Sequence, residues 1–400
     1  MRRPLALTLG FLTLAVLAAC LLSVTATLWR EPYRLQWDFH TYYYASAAQA
    51  QGLDPYDAAN ISKVSNKHWT PAFLYPPLTL PLFSLFRAVD YTAAVKVWLL
   101  LKLALVAGLL AIWHRGFARL APLAVFGAYL CFAFGATFYW DLKAGNVSIL
   151  EQFLLWSAFW CLLRDRPWGF CGLLLAASLF KLTFVAFLPL LLLFDVRRKW
   201  LWMASTALGL AVYLVANRLL EPVLFAEYVR QAVTMDDLGS RYNAGTLAFL
   251  KDLFGGAAAG PAPLVVYVAL AIALLAFVAW RLRPALPALA ADRPLAICLA
   301  CALYAVLMPR MKSYSFIVLV LPAFLVVTRS LRSRSLAVAG LALLALPVRA
   351  PFALPVPAAF ADGTVGAKLK DYYLLFLAWL VLGLYVRHVR RAAAAVRADR

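Results

Sequence analysis

The chain has 400 residues, 65% of them hydrophobic, and a mean hydropathy of +0.81, whereas a soluble globular domain is about 45–50% apolar. A water-soluble globule is excluded, and a single polytopic membrane domain over residues 1–400 is expected. The formal charge of +20 comes from 38 Lys and Arg against 18 Asp and Glu, but the cations gather in short loops between apolar runs, as the positive-inside bias dictates, so no nucleic-acid partner is implied.

A spanning helix needs about 20 apolar residues. The first run, 5–28, follows Met1-Arg2-Arg3 and lacks a small-residue cleavage site. It is longer than a signal-peptide h-region of about 7–15 residues, so an uncleaved first span is expected. Residues 29–72 make the longest polar segment, an outer loop with short interfacial helices expected at 41–51 and 58–67 and with Tyr42, Tyr43, Tyr44 and Trp69 as aromatic anchors. Tyr75-Pro76-Pro77 breaks the chain, and 73–88 reads as a short re-entrant or interfacial helix.

Spans follow near 92–113, 120–139 and 147–163. The stretch 168–195 is apolar except for Lys181 and lies between two basic loops, Arg164/Arg166 and Arg197–Lys199. Keeping both loops on one side requires a hairpin bent at Ser178–Thr183, not one crossing. Spans near 200–219, 262–281, 294–308, 313–329, 335–348 and 369–387 complete an all-α fold of about twelve crossings with both termini cytoplasmic. A further outer loop covers 220–261, and the basic tail 388–400 is cytoplasmic. The six cysteines all fall in or beside apolar runs. Cys298 and Cys301 have CxxC spacing without a further ligand cluster, which reads as helix packing and not as a metal site.

Ionisable residues beside apolar runs are the candidates for chemistry. Asp38, between Trp37 and Phe39, is a partly desolvated carboxylate suited to general-base work, or it caps the following helix. Lys181, between Phe180 and Leu182, carries a cost of about 2.5–3.5 kcal/mol at a helix centre, which makes it a functional candidate unless it snorkels. Arg310 and Lys312, in the turn after Met308-Pro309, can bind phosphate or serve as an ordinary polar turn. Asp141 and Asn146 in "YWDLKAGNVSIL", and Arg241 and Asn243 in "GSRYNAGTLAFL", offer charged and amide groups to a sugar, or are simply loop.

Taken in order, several segments resemble glycosyltransferase family 87, the polyprenyl-phosphate-mannose-dependent mannosyltransferase-like group of the C-type superfamily, over about residues 30–330. They are Trp37-Asp38-Phe39 with Tyr42/Tyr43, Gly52-x-Asp54-Pro55-Tyr56-Asp57, Phe73-Leu74-Tyr75-Pro76-Pro77, Gly145-Asn146, and Lys181 before an apolar run closed by Arg197-Arg198-Lys199. The resemblance implies the GT-C fold and transfer of a sugar, mannose or a related hexose, from a polyprenyl phosphate to a lipid or glycan acceptor. It places the protein in the inner membrane with its site on the extracytoplasmic side. It implies Asp38 as general base, Lys181, Arg310 and Lys312 on the donor phosphate, and Tyr42, Tyr43, Tyr75, Asp141, Asn146, Arg241 and Asn243 near substrate. No metal cofactor is expected, because side-chain cations replace it, and inversion by single displacement follows.

One departure is the turn Met308–Tyr314, where many members carry a histidine; the four histidines here are 40, 68, 114 and 388. A transporter or flippase is the alternative that broken helices with ionisable residues suggest. Against it, no internal repeat is visible. A non-catalytic scaffold leaves Asp38, Lys181 and Arg310 on one face without a reason.

Overall fold

The computed structural model describes residues 35–67, 70–117, 123–234, 243–255, 260–331, 334–346 and 365–398, with scattered positions before residue 35. Most of the expected first span, 5–28, and residues Trp69, Arg241 and Tyr242 lie outside them. The described residues form helices and connecting turns, with no strand among them.

In chain order the helices are α1 (Trp37–Ala50), α2 (Ala58–Ser65), α3 (Leu80–Ser84), α4 (Tyr91–Gly116), α5 (Leu123–Ala144), α6 (Ser148–Leu163), α7 (Pro167–Phe180) and α8 (Leu190–Leu193). Then come α9 (Lys199–Leu220), α10 (Pro222–Thr234), α11 (Thr246–Leu253), α12 (Ala262–Leu282), α13 (Leu286–Ala291), α14 (Arg293–Leu307), α15 (Ile317–Ser330), α16 (Arg334–Leu344) and α17 (Val365–Ala398). Their starts are legible chemically. Asp57, Asp90 and Asp292 accept from backbone N–H groups at 2.8, 3.1 and 3.0 Å to cap α2, α4 and α14, and prolines open α7, α12 and α14.

Among the described residues six segments are long and apolar enough to cross a membrane: Tyr91–Gly116, Val125–Ala144, Lys199–Leu220, Ala262–Ala291, Ser313–Ser330 and Lys370–Arg391. Five shorter apolar helices pack among them. This is a membrane protein. Ser313–Ser330 is mostly buried, whereas Lys199–Leu220 and Ala262–Ala291 are mostly exposed, so α15 is the central post and α9 and α12 lie on the outside of the bundle.

Two ends of this bundle differ in chemistry. Arg293 at the start of α14 donates to Leu162 O and pairs with Asp165 at 2.6 Å, and its guanidinium lies 5.4 Å from the Phe194 ring. The loop after α6 and the chain after α8 therefore lie at one end, together with Arg329 and His388. Between those two points α7 runs away, breaks at Lys181, whose backbone is extended, and returns through a 3₁₀ stretch, Leu182–Phe187, and α8. The segment 168–195 is thus a hairpin with Lys181 at its apex.

Helix α1 departs from expectation. It is packed against the rest of the protein, with Phe39, His40, Thr41 and Tyr42 buried, so Tyr42 is a core residue and not an exposed anchor. The reason is aromatic packing. Phe39 stacks on Trp98 at 5.3 Å, and Tyr42 meets Phe83 at 4.6 Å, so its aromatic face finds a core formed with Tyr56, Phe73 and Tyr91. Asp38 sits inside the first turn and caps nothing.

An ion pair inside the bundle holds the end of α5. Lys102 on α4, 1% exposed, reaches the Asp141 carboxylate at 2.5 Å and the Asp141 carbonyl at 2.6 Å. That carbonyl also accepts from the N–H groups of Gly145 and Asn146 at 3.0 and 3.3 Å. Losing one partner strands the other as a buried charge, which costs about 3–5 kcal/mol. Lys102→Met is therefore expected to lower thermal stability in detergent by that order, and Lys102→Met with Asp141→Leu to recover most of it. Equal melting of the single and double variants would show that the pair does not hold this turn.

Candidate active site

The turn between α5 and α6 receives the start of α1. Gln36 adopts a left-handed backbone with φ 65°, its N–H donates to Lys143 O at 2.8 Å, and its side-chain amide donates to Leu142 O. Gly145 has φ +72°, and a Cβ on it would fall 2.5 Å from Gln36 Oε1 and 2.8 Å from Phe39 Cβ. Both the conformation and the space demand glycine. Trp98 Nε1 donates to the Gly145 carbonyl at 2.9 Å.

That docking brings Asp38 against Asn146. The Asn146 amide donates from Nδ2 to Asp38 Oδ2 at 2.7 Å and to the Tyr42 hydroxyl at 3.0 Å. Its Oδ1 accepts from Ser148 N and Oγ at 2.9 and 2.8 Å, which fixes which way the amide faces. The Tyr42 and Tyr75 hydroxyls lie 3.2 Å apart and share a hydrogen bond.

Cations come from the opposite side. Lys181, at the hairpin apex, donates to Ser315 Oγ at 3.2 Å and lies near the Phe184 and Tyr304 rings. The turn bearing Arg310 and Lys312 is strapped from beneath. Asn243 Oδ1 accepts from Met311 N at 2.8 Å and Gly245 N at 2.9 Å, and Ala244 N donates to Met311 O at 2.9 Å.

These groups wall one cavity of about 340 Å³. Asp38, Tyr42, Tyr75, Asn146, Lys181, Arg310 and Lys312 all line it. Tyr43 does not; its hydroxyl donates to Val89 O at 3.0 Å among Tyr44 and Tyr91. Asp141 lies behind the wall in its ion pair, and Asn243 lies behind it as the strap. Arg241 falls outside the described residues.

A family model, glycosyltransferase family 87, matches residues 73–309, more than half of the chain. The chain belongs to glycosyltransferase family 87. No curated protein and no solved structure matches it. In this family-87 member the matched segment holds Tyr75, Asn146 and Lys181. Asp38 and Tyr42 precede the match and Arg310 and Lys312 follow it, yet the fold gathers all of them around the same space.

The cavity also holds groups that reading the sequence missed. Glu151, in the first turn of α6 and 4% exposed, lines it with Lys181 as its cationic neighbour, and Tyr314 and Ser315 also line it. A carboxylate in "NVSILEQF" carries the same signal that marked Lys181, a charge inside an apolar run. With Asp38 and Glu151 against Lys181, Arg310 and Lys312, this site can take up a proton and hold an anion.

Burial holds the Asp38 carboxyl above the ordinary carboxylate range, outweighing the downward pull of Lys312, Asn146 and Tyr314. A raised carboxyl contributes stability that is present below the unfolded value and lost as pH rises through the folded one. Burial pushes His40 the other way, from the ordinary 6.5 to about 3, with Lys67 adding to the effect. Its contribution is present at neutral pH and lost as pH falls from 6.5 toward 3. Asp38→Asn is therefore expected to melt no lower than wild type near pH 7, and His40→Phe to soften the loss of stability in acid. Melting curves in detergent across pH check both; a large drop for Asp38→Asn at neutral pH would show that the ionised carboxylate supports the fold.

Proposed function

We propose that the protein moves a hexose, mannose or a close relative, from a polyprenyl phosphate to a lipid or glycan hydroxyl, with inversion and with Asp38 as general base. The observation that carries this reading is one cavity in which a half-buried carboxylate, oriented by Asn146, shares the space with Lys181, Arg310 and Lys312. Family membership supplies the reaction class.

Asp38 takes the proton of the acceptor hydroxyl as its oxygen bonds to the anomeric carbon. The bond from that carbon to the phosphate oxygen breaks, and the lipid phosphate leaves as an anion. The cations gain their full interaction with the phosphate as its charge develops, which favours the transition state over the bound donor. Tyr42 and Tyr75 are suited to hold sugar hydroxyls, whereas the Asn146 amide, already fully bonded, serves to orient Asp38. Metal independence follows on this reading, because three cations already face a monophosphate.

The same reading favours a GT-C arrangement of about twelve crossings, with the shorter apolar helices counted. Because the basic loops collect at the end away from the cavity, it puts the cavity on the extracytoplasmic side of the inner membrane.

Sugar transfer by the purified protein in nanodiscs, from radiolabelled polyprenyl-phosphate mannose and related hexoses, tests the proposal. Asp38→Asn is expected to lose about 10²–10⁴ in rate, and Lys181→Met about 10²–10³. A chelator is expected to leave the rate unchanged. For the wild type, kcat/KM is expected to rise with pH through a value above the usual carboxylate range, since only ionised Asp38 accepts the proton. Turnover that survives Asp38→Asn would move the base to Glu151.

A further inference from the structure

A second concavity, of about 640 Å³, lies between α12 and α17, toward the end of the bundle opposite the cavity. One part of its wall is apolar: Phe277 and Val278 from α12, Trp379 and Leu382 from α17. The other part is cationic, with Arg281, Arg387, Arg390 and Arg391. From Trp379 to Arg387 is about 12 Å along a helix axis. The groove is therefore a slot that is greasy at membrane depth and basic at its end.

Three details make it more than a basic loop. Gly383 forms part of the wall, and a Cβ there would meet nothing within 4 Å, so the slot stays open for want of a side chain. The Arg281 guanidinium is held near the Phe277 and Trp280 rings, at 5.7 and 5.4 Å, and its Nε is buried without a hydrogen-bond partner. Among the described residues no ion pair engages any of the four arginines. Like charges brought together around an apolar slot repel one another unless an anion lies between them.

We infer that this groove binds an acidic phospholipid, its phosphate among the arginines and an acyl chain along Phe277, Gly383 and Trp379. The occupant follows from the pairing of surfaces. A free phosphate has no use for the apolar wall, and a neutral lipid has none for four arginines, whereas an anionic lipid satisfies both at once. The site is separate from the sugar-transfer cavity. Tyr372, bonded to α11 beside the strap, and Arg390 on the same helix are about 27 Å apart, close to the thickness of the hydrocarbon core, about 30 Å.

The test is native mass spectrometry of the full-length protein with equimolar dioleoyl phosphatidylglycerol and dioleoyl phosphatidylcholine, which share the same tails. Wild type is expected to retain phosphatidylglycerol about tenfold over phosphatidylcholine, and Arg281→Ala with Arg390→Ala to abolish that preference. Removing two other cations at the same end, Arg197→Ala with Arg198→Ala, is expected to leave it in place. Gly383→Leu fills the slot without touching charge and is expected to lower retention of phosphatidylglycerol severalfold. Equal retention of the two lipids by wild type would overturn the inference, as would equal losses from the two arginine pairs. Full retention by Gly383→Leu would overturn the acyl-chain half.

Discussion

The amide of Asn146 has each of its atoms committed: Nδ2 faces Asp38 and Tyr42, and Oδ1 faces the backbone and hydroxyl of Ser148. Because the oxygen is already held by α6, the nitrogen has no choice but to meet the carboxylate. The rest of the arrangement is what makes that meeting possible. Gly145 lets α1 approach α5 at a distance no other residue allows, and Lys102 keeps the last turn of α5 in place through both the carboxylate and the carbonyl of Asp141. Two polar layers therefore stand one behind the other, an inner ion pair that fixes backbone and an outer carboxylate that faces the cavity. A buried polar network is costly when incomplete, which is why both layers depend on so few positions.

Helix length explains where the cavity lies. At about 1.5 Å per residue, α6, α7 and α14 are each about 21–24 Å long, short of a hydrocarbon core of about 30 Å. All three start or stop at the cavity: α6 begins after Asn146, α7 ends before Lys181, and α14 ends before the Arg310 turn. The missing turns of helix are the space in which the site is built. Irregular backbone at membrane depth is tolerated only where protein or a water-filled cavity covers it, and Asn243, which accepts from Met311 N, and Ala244 N, which donates to Met311 O, provide that cover for the 308–312 turn.

Much of this was legible in the sequence, and the remainder was hidden for identifiable reasons. The run expected at 92–113 is α4, begun by Asp90 and carried by apolar residues interrupted at Lys96 and Lys102. The hairpin around Lys181 follows from two signals together, basic loops kept on one side and a lysine interrupting the apolar stretch. The buried state of α1 did not follow, because a helix with aromatic residues on one face looks the same whether that face meets lipid headgroups or Phe73, Phe83 and Trp98. Lys102 was hidden because its partner lies 39 positions away, and an ion in an apolar run is recognised as structural only once the fold supplies the opposite charge. Asn243 reads as a sugar ligand beside Arg241, yet its carbonyl is used by two backbone N–H groups.

The turn that carries Arg310 and Lys312 is where these observations converge. Positive residues are disfavoured at the end of a membrane protein away from its basic loops, so two cations in a five-residue turn work against topology. A turn that only reversed the chain would need neither those cations nor a buried asparagine beneath it. Here Asn243 holds the backbone of Met311, Gly245 packs against Pro309, and the Thr246 hydroxyl donates to Val306 O at 2.6 Å, so three contacts tie this turn and the end of α14 before it to the start of α11. Rigidity of that kind matters when charges must already be in place before the charge they stabilise develops, because a flexible cation loses part of its interaction to ordering. On the proposed transferase reading, cations on a braced turn opposite an oriented carboxylate give a reason for the chain to depart from its own charge bias here.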